Sequence, residues 1–117
     1  MVKVLLVEDN HDVADSAIRA LEMRGYQVSW AMTKQDAEAV IETAGPFDLA
    51  ILDLNLPDGY GPELIDSLDK TTNVAVYSGL PDDAEAMCRK LGHDTVDVFS
   101  KGDPRGLFDW VAAQSSS

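Results

Sequence analysis

Five short apolar runs constrain the fold of this chain more than any other feature of its sequence. Each run is four to six residues long, and all but the second are rich in Val, Ile, Leu or Ala, as buried strands are. The runs occupy residues 2–7, 26–30, 47–52, 74–77 and 96–99. Stretches of helical spacing lie between the runs, and each connection from strand to helix is short; a closed barrel of parallel strands would need about eight such units. The runs therefore predict an open parallel sheet.

Stretches of helical spacing separate and follow the runs, and most carry start or stop signals. Threonine or aspartate precedes two of them as a cap, proline lies in the first turn of three, and glycine follows three. The predicted helices cover residues 12–24, 34–44, a segment from Pro62 to Leu68, 81–91 and a last one from Pro104. Five strands alternating with five helices predict a flavodoxin-like α/β fold, a doubly wound parallel sheet of strand order 2-1-3-4-5.

Length and charge narrow the classes of function. The 117 residues suit one domain, with a polar tail at 114–117 that we expect to be frayed. A net charge of −12 argues against direct binding to nucleic acid, which needs clustered Lys and Arg. A single cysteine excludes an intramolecular disulfide, and the N-terminus lacks the pattern of a signal peptide or membrane span. We therefore expect a cytoplasmic protein.

Polar residues follow four of the five apolar runs. Glu8 and Asp9 follow the first run, Asp53 the third, Ser78 the fourth and Lys101 the fifth. The carboxyl ends of strands 1 and 3 flank the point where this topology reverses direction, and ligands bind there. Neighbouring carboxylates repel each other unless a cation holds them, and Mg²⁺ prefers such oxygen ligands. This pattern predicts a magnesium site at which an aspartate acts as nucleophile towards a phosphoryl group.

Four motifs together resemble a response-regulator receiver domain over essentially the whole chain. They are Glu8-Asp9-Asn after strand 1, Asp53-Leu-Asn-Leu-Pro-Asp-Gly after strand 3, Tyr-Ser78-Gly after strand 4, and Lys101 after strand 5. The order and spacing match those of the family.

The resemblance implies a role for each of these residues. Asp53 would be the phosphoacceptor, and Ser78 and Lys101 would bind the phosphoryl group. Mg²⁺ would be held by Asp9 directly, by Glu8 through water, by Asp53, and by the backbone carbonyl of Asn55. The phosphoryl donor would be a sensor histidine kinase, a histidine phosphotransfer protein or a small acyl phosphate, and the output would be contact with a downstream protein that the sequence does not name.

Two positions depart from the family pattern. Val98 stands three residues before Lys101, where receivers usually have an aromatic residue that rotates on phosphorylation, and Gly102 replaces the usual proline. We expect Phe99 to point to the opposite face of the sheet from Val98. Tyr77, on the neighbouring strand, is the predicted substitute for the missing aromatic, on the same surface as Val98.

Three other classes of function fit parts of the pattern. An aspartate-nucleophile phosphatase usually has a second aspartate where this chain has Asn55. A flavin-binding module would need a phosphate loop after strand 1, where Glu8 and Asp9 would repel phosphate. A receiver-like interaction domain that is never phosphorylated is compatible with Val98 and Gly102, although the five site residues are all present.

The remaining notable residues are expected to be structural. Free cysteine packs as a small hydrophobe, the Pro-Asp-Gly tripeptide encodes a turn, and neither histidine has a partner at metal-ligand spacing. We therefore predict that Cys88 is a core thiol and Asp58 a turn residue. His11 and His93 are predicted to be surface residues, and Trp30 and Trp110 to be packing residues.

Overall fold

The computed structural model describes residues 1–115, and its main feature is a five-stranded parallel sheet of order β2-β1-β3-β6-β7. The strand order predicted from the sequence is confirmed, because β6 and β7 are the fourth and fifth of the predicted strands. The elements in chain order are β1 (Lys3–Val7), α1 (His11–Glu22), β2 (Gln27–Ala31), α2 (Lys34–Ala44), β3 (Leu49–Leu52), β4 (Asn55–Leu56), β5 (Gly59–Tyr60), a 3-10 helix (Gly61–Ser67), β6 (Asn73–Ser78), α3 (Pro81–Lys90), β7 (Asp97–Ser100) and α4 (Pro104–Ser115).

The helices cover both faces of the sheet, as the alternation of side chains along each strand requires. From β1, Val4 and Leu6 pack with α1 and α4, whereas Leu5 and Val7 face α2 and the 3-10 helix. A third, smaller cluster on that second side joins β6 and β7 to α3. All of β3 is buried because it lies at the centre of the sheet.

The segment between β3 and β6 differs from the prediction. The predicted loop after Asp53 contains a small antiparallel hairpin, β4 and β5, and the predicted helix at Pro62 is a 3-10 helix. Pro62 occupies its first turn, and Leu68, whose backbone is extended, ends it after seven residues. The helix covers seven residues, as the predicted segment from Pro62 to Leu68 does, so the difference lies in the type of helix: tight 3-10 turns occur in such short pieces.

The C-terminal helix is longer than the sequence suggested. Part of the predicted frayed tail, Gln114 and Ser115, belongs to α4, and the rest of it, Ser116 and Ser117, lies outside the described residues. Among the residues that are described, none of the helices has the length and apolar character needed to cross a bilayer.

Candidate functional site

The carboxyl ends of β1 and β3 place two acidic residues side by side. Val7 and Leu52 are register partners at the ends of these strands, so Glu8 and Asp53 follow at equivalent positions. The backbone N–H of Asp53 donates to Val7 O at 2.9 Å, and that of Glu8 donates to Ala31 O at 3.0 Å. The sheet ladder thus continues for one residue past each strand and fixes the backbone from which both carboxylates project.

Glu8, Asp9 and Asp53 form a cluster of carboxylates. One oxygen from each lies within 4.8 Å of the others. Glu8 and Asp53 are buried, whereas Asp9 is exposed, so the cluster opens to solvent on one side. Hard oxygen donors at this separation suit Mg²⁺, which binds a few carboxylates and leaves other positions for water and phosphate oxygens. The donor set therefore fits the metal that the sequence predicts.

The first helix does not use these acids as caps. Asn10 is the N-cap of α1, and its side-chain oxygen accepts from the N–H groups of Asp12 at 3.0 Å and Val13 at 3.1 Å. Glu8 Oε2 accepts from the N–H of Asn10 itself at 3.2 Å, but the N–H groups of the first helical turn are capped by Asn10 and not by either acid, although such capping is the usual reason for acids at this position.

Lys101 joins the two buried carboxylates. Its ammonium Nζ lies 2.8 Å from Glu8 Oε1 and 3.2 Å from Asp53 Oδ2. The backbone N–H of Lys101 donates to the backbone O of Ser78 at 2.9 Å, which holds the start of the β7–α4 loop against the end of β6. Burial disfavours the charged ammonium, but hydrogen bonds and charge from Glu8 and Asp53 outweigh burial and raise the pKa of Lys101.

Asp53 has an unusual protonation equilibrium in the absence of a cation. Burial, together with the hydrogen bond and negative charge of Glu8, raises its pKa to about 7, and Lys101 offsets only part of this effect. The N–H of Leu54 donates to Asp53 Oδ1 at 2.8 Å and orients the carboxylate. A carboxylate whose charge is this unfavourable gains from any cation that binds beside it.

Ser78 lies at the end of β6 and is buried. Its Oγ accepts from the N–H of Leu80 at 2.9 Å, which leaves its hydroxyl hydrogen to serve as a donor. The next residue, Gly79, has open space where a side chain would begin. Asn55, the other predicted site residue, lies two positions after Asp53 in β4, paired with Tyr60.

Two residues support the site in ways that the sequence did not predict. A side chain at Gly61 would begin 1.7 Å from Asp53 O, so only glycine allows this approach. A glycine directly before the proline of a helix start was the available signal. Trp30, predicted only to pack, also donates from Nε1 to Glu8 O at 2.8 Å. The sequence holds no separate signal for that bond.

The predicted switch residue lies on the wrong face of the sheet. Tyr77 is the register partner of Phe99 and packs in the core beneath α1 and α4, whereas Val98 packs against α3. The expectation that Tyr77 shares a surface with Val98 is therefore wrong, because parallel strands in register place partners on one face. The opposite orientation of Phe99 and Val98 is confirmed. Tyr77 instead lines a cavity of about 330 Å³ together with Lys101 and Phe108.

Most of the residues assigned structural roles behave as expected. Cys88 is buried in the α3 cluster, and Trp110 packs in the core while donating to Asp97 Oδ2 at 3.0 Å. His11 is exposed as predicted, with its ring edge-on to Trp30. His93 is half-buried rather than a surface residue, and its Nε2 lies 3.3 Å from the carboxylate of Asp66.

Comparison with known proteins identifies the family. The sequence model of the response regulator receiver domain matches residues 4–111. This chain belongs to the receiver-domain family. Receiver domains are generally signalling modules rather than enzymes, and they generally bind Mg²⁺ in an acidic pocket like that of Glu8, Asp9 and Asp53.

Relatives and solved structures agree with this assignment. The swarming motility regulation protein RssB of Serratia marcescens is 43% identical over 60 residues, covering 51% of this chain and 27% of RssB. A CheY-like receiver from Methanospirillum hungatei has a TM-score of 0.81 at 28% identity, covering 97% of this receiver and 93% of that chain. A response regulator from Burkholderia pseudomallei, solved with a phosphorylated aspartic acid and a calcium ion, has a TM-score of 0.79 at 26% identity. The match covers 99% of this receiver and 68% of that chain. The receiver thus spans about a quarter of the length of RssB.

Proposed function

We propose that this receiver accepts a phosphoryl group on Asp53 and signals through contact with a downstream protein. The donor is a sensor histidine kinase or a histidine phosphotransfer protein, and the setting is the cytoplasm. The observation that carries the proposal is the position of Lys101 Nζ within 3.2 Å of both Glu8 and Asp53. One ammonium in contact with the predicted nucleophile and a predicted metal ligand suits phosphoryl transfer, in which negative charge must be stabilised.

In this mechanism an Asp53 oxygen attacks the phosphorus atom of the donor. The new O–P bond forms as the bond from phosphorus to the donor's imidazole nitrogen, or to the oxygen of a small acyl phosphate, breaks with its electron pair. Lys101 and the Ser78 hydroxyl bind phosphoryl oxygens. Glu8, Asp9, Asp53 and the backbone carbonyl of Asn55 would hold Mg²⁺, which supplies positive charge next to the transferring group.

The Burkholderia structure supports this assignment, because a receiver of the same fold carries a phosphorylated aspartic acid and a divalent cation. The same residues would let this receiver use small acyl phosphates and promote its own phosphorylation and dephosphorylation. Because none of these steps needs a second protein to complete the site, the proposal can be tested on the isolated chain, residues 1–117, as a single domain.

The test is incubation with acetyl phosphate and Mg²⁺, followed by intact-mass measurement. The parent protein should gain one phosphoryl group, and Asp53→Asn should gain none. Asp15→Asn, which removes an exposed acid from α1, is the matched control and should label like the parent. Equal labelling of Asp53→Asn and the parent would contradict the assignment. A parent that never labels would favour the alternative of an interaction domain that phosphorylation does not switch.

A further inference from the structure

Asp58 ties the loop after Asp53 to the start of α2. Its Oδ1 accepts from the N–H of Lys34 at 2.7 Å, and its Oδ2 accepts from the N–H of Gln35 at 2.9 Å. The first N–H groups of a helix lack partners within the helix. Thr33 Oγ1 satisfies the third, that of Asp36, at 3.0 Å. Asp58 therefore completes the cap of α2 from more than twenty residues away, and these two bonds lower its pKa.

The loop that carries Asp58 is continuous with the site. Asp58 is in the turn between β4 and β5, and Asn55 at the start of this hairpin pairs with Tyr60 at its end. The N–H of Gly61 donates to Leu54 O at 2.9 Å, which closes the hairpin directly beside the phosphoacceptor. A hairpin this short, 55–60, has little internal freedom. Leu56 anchors one side of the hairpin in the core with β1 and β3, so the attachment of its turn decides how firmly the other end is held.

A second polar attachment near this hairpin, through Glu63, is weaker. Glu63 Oε1 accepts from the N–H of Tyr60 at 2.8 Å and lies 3.7 Å from Lys34 Nζ. The two side chains of that ion pair are 28% and 38% exposed, and pairs of this kind contribute little. Leu56 of the hairpin is also buried in the cluster that includes Ala37 of α2. The two short bonds of Asp58 are therefore the hydrogen bonds that hold the turn of the hairpin, rather than its apolar side, to the helix backbone.

We propose that Asp58 is a positioning residue for cation binding: by holding the hairpin 55–60 against α2 it fixes the backbone carbonyl of Asn55 beside Asp53. This inference rests on the function proposed for Asp53 and Asn55. Without Asp58 the same ligands remain, but the loop must be ordered when Mg²⁺ binds, and affinity falls. Direct outer-shell partners of metal ligands contribute roughly 10–100-fold, so we expect about a three- to tenfold loss for this more distant contact.

The first measurement is calorimetric titration with Mg²⁺ alone. Asp58→Ala should bind Mg²⁺ about three- to tenfold more weakly than the parent. Asp58→Asn keeps one acceptor oxygen, so its affinity for Mg²⁺ should lie between those of the parent and Asp58→Ala. Asp69→Ala is the matched control. Asp69 is also exposed and also accepts two hydrogen bonds, but both come from nearby Thr71, and Asp69 precedes β6 at the end of the sheet opposite the site. Its loss removes the same charge without releasing the hairpin.

A second pair of variants separates the hydrogen bond from the charge of Asp58. Lys34→Pro removes the N–H that donates to Asp58 Oδ1, whereas Lys34→Ala keeps this N–H and removes the same ammonium. Proline is tolerated at the first position of a helix, and the preceding Thr33 is extended, with ψ 163, as a residue before proline prefers. Lys34→Pro should bind Mg²⁺ more weakly than Lys34→Ala. Hydrogen exchange of amides 55–60, without metal, should be faster in Asp58→Ala than in Asp69→Ala.

The outcomes distinguish this inference from the proposed function. If the parent does not label with acetyl phosphate, the proposed function is contradicted, whereas the Mg²⁺ titrations still test the role of Asp58. If the parent labels but Asp58→Ala binds Mg²⁺ like Asp69→Ala, the positioning role is overturned. Equal affinities of Lys34→Pro and Lys34→Ala would also overturn it, because the effect of Asp58 would then be one of charge alone. Should Asp58→Ala not fold, Asp58→Asn and the lysine pair carry the same test.

Discussion

The Lys101 ammonium lies 2.8 Å from Glu8 Oε1, and this carboxylate is only 2% exposed. A buried carboxylate is stable as a charged group only when it is paired. Lys101 provides that pairing when no metal is bound, while its contact with Asp53 places it where a phosphoryl group would arrive. The lysine therefore has a structural role before phosphorylation and a proposed catalytic one during it, and the following predictions separate the two.

Removal of Lys101 should slow phosphorylation without weakening cation binding. In Lys101→Ala the three carboxylates remain, and the cation that competes with Mg²⁺ for Glu8 and Asp53 is gone. Removing one donor that stabilises transition-state charge typically costs about 10²–10³-fold in rate, and we expect a loss near the lower end. The rate is measured with acetyl phosphate at saturating Mg²⁺, with the exposed Lys70→Ala as control. A tenfold loss of Mg²⁺ affinity would show instead that Lys101 holds the carboxylates in the arrangement that binds the cation.

Mg²⁺ should stabilise the folded protein, because Glu8, Asp9 and Asp53 repel one another without a cation. At ten times the dissociation constant, the gain in free energy of unfolding is about 1.4 kcal/mol. For a domain of this size that gain raises Tm by several degrees. Asp53→Asn should raise the Tm of the metal-free protein and reduce the effect of Mg²⁺. A Tm that millimolar Mg²⁺ leaves unchanged, with Asp53→Asn less stable than the parent, would show that the acids do not share a site.

The stability of the metal-free protein should fall as pH rises. Asp53 has a pKa of about 7 in the fold and about 4 when unfolded, so between these values the folded state binds more protons. The free energy of unfolding therefore decreases with rising pH across this window and levels off above pH 7. Melting curves in the presence of a chelator should show this trend for the parent and a flatter profile for Asp53→Asn. A parent whose Tm rises from pH 5 to pH 7 would contradict the raised pKa.

Phosphorylation should be reported on the face of the sheet covered by α1 and α4. Tyr77 and Lys101 line one cavity there with Phe108, so movement of Lys101 towards a phosphoryl group changes the surroundings of Tyr77. Beryllofluoride should shift amide signals near Tyr77 and Phe108 more than those along 84–91 on α3. Tyr77→Leu should reduce the response at Phe108 while Asp53 still labels with acetyl phosphate. Shifts concentrated along α3 would instead indicate a route through Val98.

The sequence was sufficient to predict the sheet and the acids at its edge. Runs such as 2–7 and 47–52 are short and mostly apolar, as buried strands are, and the helical stretches between them favour parallel connections. The strand order then brings Glu8 and Asp53 together without further information. Local signals such as the Thr33 cap were also sufficient, since a cap acts within one turn of the chain.

Contacts between distant segments were decided only by the tertiary structure. Asp58 looked like a turn residue, and it is one, yet its carboxylate caps a helix that begins at Lys34. Tyr77 was assigned to the surface of Val98, but which face a strand residue occupies relative to its neighbour depends on the register of β6 and β7. The sequence by itself determined the strand order and the residue types at the carboxyl ends of the strands. Periodicity within each run sets the type of element, and the alternation of strands with helices sets the order of the strands. The tertiary structure decided the pairing of Lys101 with Glu8, the cap from Asp58 and the face of Tyr77, because each depends on distances between segments that only packing sets.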